Sequence, residues 1–255
     1  MSFNFDDMPE EVALSSAPLV RVLCQVRYSP TPELVDDQNE RQIAGLLGDL
    51  FPVRGSVDGV LFIPGLNAAP QQDTMRTFED IEGAWRASVT PNFLALETTA
   101  YDRRTGFLDR LAKVLAAVHE VGAPPRVTRI GLRYTDRIEN PTGLRDLVRP
   151  ALLGMVSEVE DDELVENQIQ QALVVDSANQ AKVQVRSLCL PPRVGFDPSI
   201  NPVESRSWVL DIDAYTESPR RWDPVDLSSV AEMLAKRAYQ VFHWAVTDKF
   251  RETYR

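Results

Sequence analysis

The chain has 255 residues, 44% apolar and 25% charged, an ordinary balance for a folded domain that sets disorder aside as the default. Its 27 basic and 38 acidic residues give a formal charge of −11, which opposes both nucleic acid, whose binders rely on clustered Lys and Arg, and anionic lipid surfaces. No run of 18 apolar residues occurs, and residues 1–17 carry Asp6, Asp7, Glu10 and Glu11 where a secretory signal needs positive charge and an apolar core, so a cytoplasmic location away from membranes is expected.

Residues 19–28 alternate, with Val20, Val22, Cys24, Val26 and Tyr28 on one face and Arg21, Leu23, Gln25 and Arg27 on the other, the period of a half-buried strand. Helical spacing follows over 33–51 and stops before Pro52. Short strands are predicted at 59–63 and 74–78, and stronger ones at 84–90 and 93–101, hinged at Pro91-Asn92. Thr105 offers an N-cap for a helix with the stripe Leu108, Leu111, Leu115 and Val118, ending near Gly122. A strand over 127–138 comes next, with Thr128, Ile130, Leu132 and Tyr134 on its buried face. A shorter helix over 142–155 is interrupted by Pro150. The acidic stretch 158–166, with six carboxylates and no base, reads as a solvated connector rather than a calcium loop, because it lacks the interposed Gly and alternating Asp/Asn. Strands are predicted at 169–176, 181–190 and 207–215, with a long loop over 191–202. A final helix opens at Asp223-Pro224 and runs to about Tyr254.

Residues 23–50 align without a gap on 129–156 at an offset of 106, setting Arg27-Tyr28 on Arg133-Tyr134 and Gly48 on Gly154. Residues 96–101 align on 210–215 at an offset of 114. Two copies of one supersecondary unit bury their apolar faces together. The predicted fold class is therefore α+β: two pseudo-symmetric β-α-β(n)-α units forming a curved antiparallel sheet with helices on one face. The expected division is an N-terminal extension (1–17), a first repeat (18–125) and a second repeat (126–255), packed as one body. The order of elements resembles the saddle topology of TATA-binding-protein-like folds, a likeness of topology that does not carry DNA binding with it.

With helices on one face, the other face holds side chains that the core does not need. Arg27 in the first strand and Arg129, Arg133 and Arg137 in its counterpart fall there, facing Glu97 in one late strand and Asp211 and Asp213 in the other. These seven are the candidate partner- or ligand-binding residues. One reading is a solvated face laced with cross-strand charge pairs. A second is a docking surface for a protein or small anion, suited to bidentate Arg. A third has this face close a homodimer.

No catalytic residue is assigned. No Gly-x-Ser-x-Gly, Gly-x-x-x-x-Gly-Lys-Ser/Thr or Gly-x-Gly-x-x-Gly occurs, and His119, His243, Cys24 and Cys189 lack metal-ligand spacing, so no metal or cofactor is expected. The two cysteines read as buried free thiols. Trp85 and Trp208 read as core anchors, while Trp244, beside His243, reads as a candidate interface residue.

The blocks 18–28, 85–101 and 129–134, together with Arg137-Ile138 and the segment 242–250 containing Thr247, resemble a sporadically distributed prokaryotic family of uncharacterised proteins of about this length. Arg103-Arg104-Thr105-Gly106 stand where that family often carries Trp. The resemblance implies a fold and no activity, and a patchy distribution suggests mobile or defence-type gene systems. The leading expectation is a non-catalytic cytoplasmic module that binds another protein, encoded nearby in such a system, and it leans away from an enzyme. The alternatives are a sensor or enzyme for a small anionic ligand or nucleotide, held at a pseudo-two-fold crevice by Arg27, Arg133 and Tyr134, and a nucleic-acid-binding saddle.

Overall fold

Apolar side chains at every second position make strands, because the pleat sends them all to one face. In the computed structural model, which describes residues 3–12, 14–61, 71–159 and 165–255, this pattern gives β1 (Leu19–Tyr28), β2 (Val53–Leu61), β3 (Gln71–Glu79), β4 (Trp85–Val89), β5 (Phe93–Thr98), β6 (Val127–Glu139), β7 (Gln168–Asp176), β8 (Ala181–Leu190) and β9 (Ser207–Thr216). The strands form one antiparallel sheet in the order β2-β3-β4-β5-β1-β6-β9-β8-β7, leaving β2 and β7 as its edges among the described residues. The helices are α1 (Asp37–Leu47), α2 (Arg104–Gly122), α3 (Leu144–Leu147), α4 (Pro150–Leu153), α5 (Pro224–Ala245) and α6 (Asp248–Thr253). None is long and apolar enough to cross a membrane.

Two compact units make up the chain: Arg21–Leu132 with Tyr215–Leu234, and Met1–Val20 with Arg133–Ala214 and Ala235–Arg255. In the first, Val22, Cys24, Val26, Ala87, Val89, Leu94 and Leu96 are buried on one face of the strands. Trp85 belongs to that face and packs on Phe107 of α2 with ring centroids 5.7 Å apart, which places the helix over it. Tyr28 meets Trp222, just ahead of α5, edge to face at 5.6 Å, and burial pushes its phenol far up in pKa. In the second unit, Trp208 is fully buried and donates from Nε1 to Ser187 Oγ (3.0 Å), so these two share a face. Asp176, at the end of β7 on that same face, accepts from Arg237 Nε of α5 (2.7 Å), which identifies it as the helix-covered one. Each fully buried Leu, Val or Phe contributes roughly 1.5–3 kcal/mol relative to an exposed one.

Several elements differ from the sequence expectation. Residues 33–51 begin as a 3-10 turn (Pro32–Val35), and α1 starts only at Asp37. The strand expected at 59–63 is β2, which starts earlier at Val53; residues 62 and 63 lie outside the described residues, as do 160–164 of the acidic stretch. α2 opens at Arg104 with Arg103 as N-cap, so Thr105 lies inside it. Thr128, assigned to the buried face, is exposed at the strand end and donates to Arg27 O at 3.3 Å. Pro150 splits the 142–155 helix into α3 and α4, because proline supplies no N–H to an i−4 carbonyl. The C-terminal helix is also two helices. Thr247 caps α6 by accepting from Phe250 N (3.2 Å), and its hydroxyl donates to Asp146 O (2.5 Å), bringing α6 against the end of α3. Cys24 and Cys189 are buried free thiols.

Gly48 (φ 51, ψ −134) and Gly154 (φ 49, ψ −124), 106 residues apart, both close a helix with positive φ and lead into a 3-10 turn. At Gly154 the positive φ calls for glycine, while the nearest neighbours of an added Cβ are the ends of the flexible Gln170 and Gln168 side chains.

Candidate functional site

The face opposite the helices carries the candidate arginines and carboxylates, and the two units treat it differently. In the first unit the register sets Leu23, Glu97, Arg86, Glu79 and Val53 in one row across β1, β5, β4, β3 and β2. Arg21 Nε reaches Glu97 Oε2 at 2.7 Å, Arg86 Nη1 lies 3.6 Å from Glu97 Oε1, and Arg86 Nε donates to Glu79 Oε1 at 2.7 Å. The result is a ladder of alternating charge over four strands. Arg27 is half-buried and donates from Nε to Gln25 Oε1 (2.8 Å) on its own strand. Arg129 lies over the Tyr215 ring at 4.5 Å, in the space a side chain at Gly131 would take. Arg86 is half exposed, so Arg86→Ala should cost no more than about 1 kcal/mol in chemical denaturation.

In the second unit part of the face opposite its helices, around Arg133, Asp211 and Val209, is buried. The connection between β8 and β9, residues 191–206, folds over it: Phe196 packs against Leu188, Leu190 and Val209, and Arg137 Nη1 donates to Asn201 O at 2.8 Å. Beneath it Arg133 and Asp211 are buried. Asp211 Oδ1 accepts from Arg133 Nε (2.5 Å) and Thr135 Oγ1 (3.1 Å), and Oδ2 accepts from Arg186 Nε (2.8 Å) and Nη2 (2.7 Å). Asp197, from the loop, accepts from Arg133 Nη1 at 2.6 Å and from Ser199 N and Oγ. Two cations thus meet two anions, and the cluster is neutral as a set. Burial works to raise the Asp197 pKa, but the Ser199 hydrogen bonds and the Arg133 charge hold it below the usual carboxylate range. Burial likewise works against the Arg133 charge, and Asp211 and Asp197 outweigh it, leaving the guanidinium more firmly protonated than usual.

This arrangement corrects the expectation of an open arginine surface. Of the seven candidates, Arg133 and Asp211 are interior, held by each other and by the loop. Arg137 bonds the loop backbone and lies 3.5 Å from Glu139, while Asp213 and Arg129 are half-buried. Tyr134 alternates with Arg133 and so points to the helix side, where it cannot share a pocket with it. The space under the loop, bounded by Arg137, Leu190, Phe196 and Ile200, is no larger than one water molecule needs. Chemically the cluster is a structural clamp: Arg133 offers no free carboxylate-binding fork.

Sequence reasoning missed Arg186, Asp197, Arg86 and Glu79. Strand alternation through Lys182, Gln184 and Arg186 was readable and would have found the first. Asp197-Pro198-Ser199 is a turn signal in which an Asp side chain accepts from the backbone two residues on, and it marks an ordered loop.

The large exposed apolar side chains of this face gather at the edge strands instead. On β7, Ile169, Leu173 and Val175 are 61%, 53% and 59% exposed, all on the side away from the helices, since they pair with Leu188, Gln184 and Lys182 of β8. On β2, Val53 and Val57 are similarly exposed, but Arg54 and Asp58 interrupt that strand. From Gln168 to Val175, β7 has no charge, no proline and no glycine. The chain matches no protein-family model and no curated protein sequence.

Proposed function

We propose that the protein is a non-catalytic protein-binding module whose partner adds an extended strand to β7, an edge strand of the sheet among the described residues. The observation that carries this reading is the uncharged edge strand with Ile169, Leu173 and Val175 exposed at alternate positions. An edge strand presents unpaired N–H and C=O groups, and proteins ordinarily protect such edges with charge, proline or a bulge. β7 has none of these over its first eight residues, while β2 is interrupted by two charges. Strand addition draws affinity from main-chain hydrogen bonds and specificity from alternate side chains. The arginines first considered for recognition are paired internally, which weakens the small-anion reading. The charge of −11 weakens the nucleic-acid one.

The scaffold fits a tandem duplication in which β3-β4-β5-β1 and β7-β8-β9-β6 are counterparts and β2 is an addition. The matching conformations of Gly48 and Gly154 support this, as does the place of each copy's opening strand in the order of the sheet. The resemblance to a patchily distributed prokaryotic family adds the suggestion of a mobile or defence-type gene system and a cytoplasmic setting.

The test is affinity recovery of the tagged chain from its native host. A single protein, whether another polypeptide or an untagged copy, should return in stoichiometric yield with the wild type and with Arg27→Ala, and be lost by at least tenfold with Leu173→Lys. A chain that returns alone under several growth conditions would remove the basis of this reading.

A further inference from the structure

Resting on the edge-strand reading above, we infer that two copies associate by antiparallel pairing of β7 with β7, about a two-fold axis at Ala172. In that register Gln168 lies opposite Asp176, Ile169 opposite Val175, Gln170 opposite Val174, Gln171 opposite Leu173 and Ala172 opposite itself, so all nine residues are paired. Directly opposed residues in an antiparallel pair share a face. On the exposed face Ile169 of one copy therefore meets Val175 of the other at both ends of the pairing, with Leu173 opposite Gln171 between them, and an isologous contact repeats each of these pairs about the two-fold.

Charge permits the same occupant. Each copy carries −11, and two such chains repel unless they approach through a neutral surface. The first eight residues of β7 supply one. The only charged side chain in the strand, Asp176, is buried and neutralised within its own copy by Arg237 Nε at 2.7 Å, with Asn179 donating to it as well. Within the nine paired residues no like charges are brought face to face. Shifting the two-fold to Gln171 or Leu173 leaves end residues unpaired and no longer opposes Ile169 to Val175. On the helix side, Gln168 donates to Leu153 O, which ties the start of β7 to α4 and holds the strand extended before it is paired.

A contact of one strand and three apolar side chains from each copy is at the small end of protein interfaces, so a dissociation constant on the order of 10 μM is expected. The experiment uses the purified full-length chain alone. Sedimentation equilibrium from about 1 to 100 μM should show a reversible monomer–dimer equilibrium, and Leu173→Lys, at an exposed position that leaves folding intact, should shift it at least tenfold toward monomer. Register is read by oxidative cross-linking. Ala172→Cys brings its own counterpart to about 4.5–5.5 Å between Cα atoms, within disulfide reach, whereas Ile169→Cys holds the two thiols about 20 Å apart. Cys24 and Cys189 are buried and give no background.

Fast cross-linking through residue 172 and at least tenfold slower cross-linking through residue 169 is the expected result. A wild-type chain that stays monomeric at 100 μM overturns the inference, as does a dimer indifferent to Leu173→Lys or one that cross-links equally through both positions. A monomer that still recovers a Leu173-dependent partner from its host sinks the homodimer while leaving the edge-strand reading in place. A monomer that recovers nothing sinks both.

Discussion

Asp211→Ala should lower the unfolding free energy by roughly 3–5 kcal/mol, the range seen when one member of a buried ion network is removed. The Asp211 side chain is about 1% exposed and accepts from three residues: Arg133 at 2.5 Å, Thr135 at 3.1 Å and Arg186 at 2.7 and 2.8 Å. Arg186 is about a quarter exposed and can turn to water. Arg133 cannot, since it is buried beneath the 191–206 loop with Nη2 already lacking a hydrogen-bond partner. After truncation it keeps only Asp197, and most of the cost is that stranded cation rather than the net worth of the pair.

The double variant Arg133→Met with Asp211→Leu removes the charges together and should recover more than half of the loss, because apolar residues of similar volume replace buried ion pairs at little cost. Urea denaturation of the two singles and the double closes the cycle. A loss below about 1 kcal/mol for Asp211→Ala would mean that water reaches the cluster and that the loop is not its cover.

That cluster also marks the limit of what the sequence could tell. Strand period is local, so alternation located β1, β6, β8 and β9 and sorted their residues onto two faces: Val22, Cys24 and Val26 against Arg21, Gln25 and Arg27; Trp208, Leu210 and Ile212 against Asp211 and Asp213. What covers a face is a long-range fact. Residues 191–206 show proline, glycine and an Asp-Pro-Ser turn, all of which say loop, and nothing in that pattern says that Asp197 lands 2.6 Å from Arg133 Nη1, 64 residues away. The break between α5 and α6 failed for a different reason. Thr247-Asp248 is a readable cap, but the stripe Leu227, Val230, Leu234, Val241 and Ala245 leads straight up to it and no glycine or proline follows to mark a stop, so the cap was passed over. The exposed stripe of β7 was hidden because alternation of Ile169, Leu173 and Val175 looks the same whether the face is buried or bare.

Asp136→Asn should stabilise the protein at neutral and alkaline pH and leave it nearly unchanged near pH 4. Asp136 lies on the helix side of β6 between Tyr134 and Ile138, and it is buried. Burial, and then the negative charge of Asp211, push its carboxyl up to about 7, and Tyr254, raised mainly by its own burial, is pushed further by Asp136 in turn. The folded chain therefore holds this proton more tightly than the unfolded chain, whose carboxyl ionises near 3.9. Stability linked to the group is complete below that lower value, declines as pH rises toward about 7 and is lost above it, by an amount on the order of 4 kcal/mol. Asp197 and Asp176, held below their usual range, act in the opposite sense: their contribution is present above the ordinary carboxylate pKa and is lost as pH falls. The wild-type profile mixes both slopes, so the informative quantity is the variant-minus-wild-type difference in denaturant stability at each pH. In that difference the other carboxylates cancel. It should rise from near zero at pH 4 to a plateau above pH 7, because the amide preserves volume and stays neutral throughout. A difference that is flat across this range would mean that Asp136 ionises at its ordinary pH, with water or an unrecognised cation beside it.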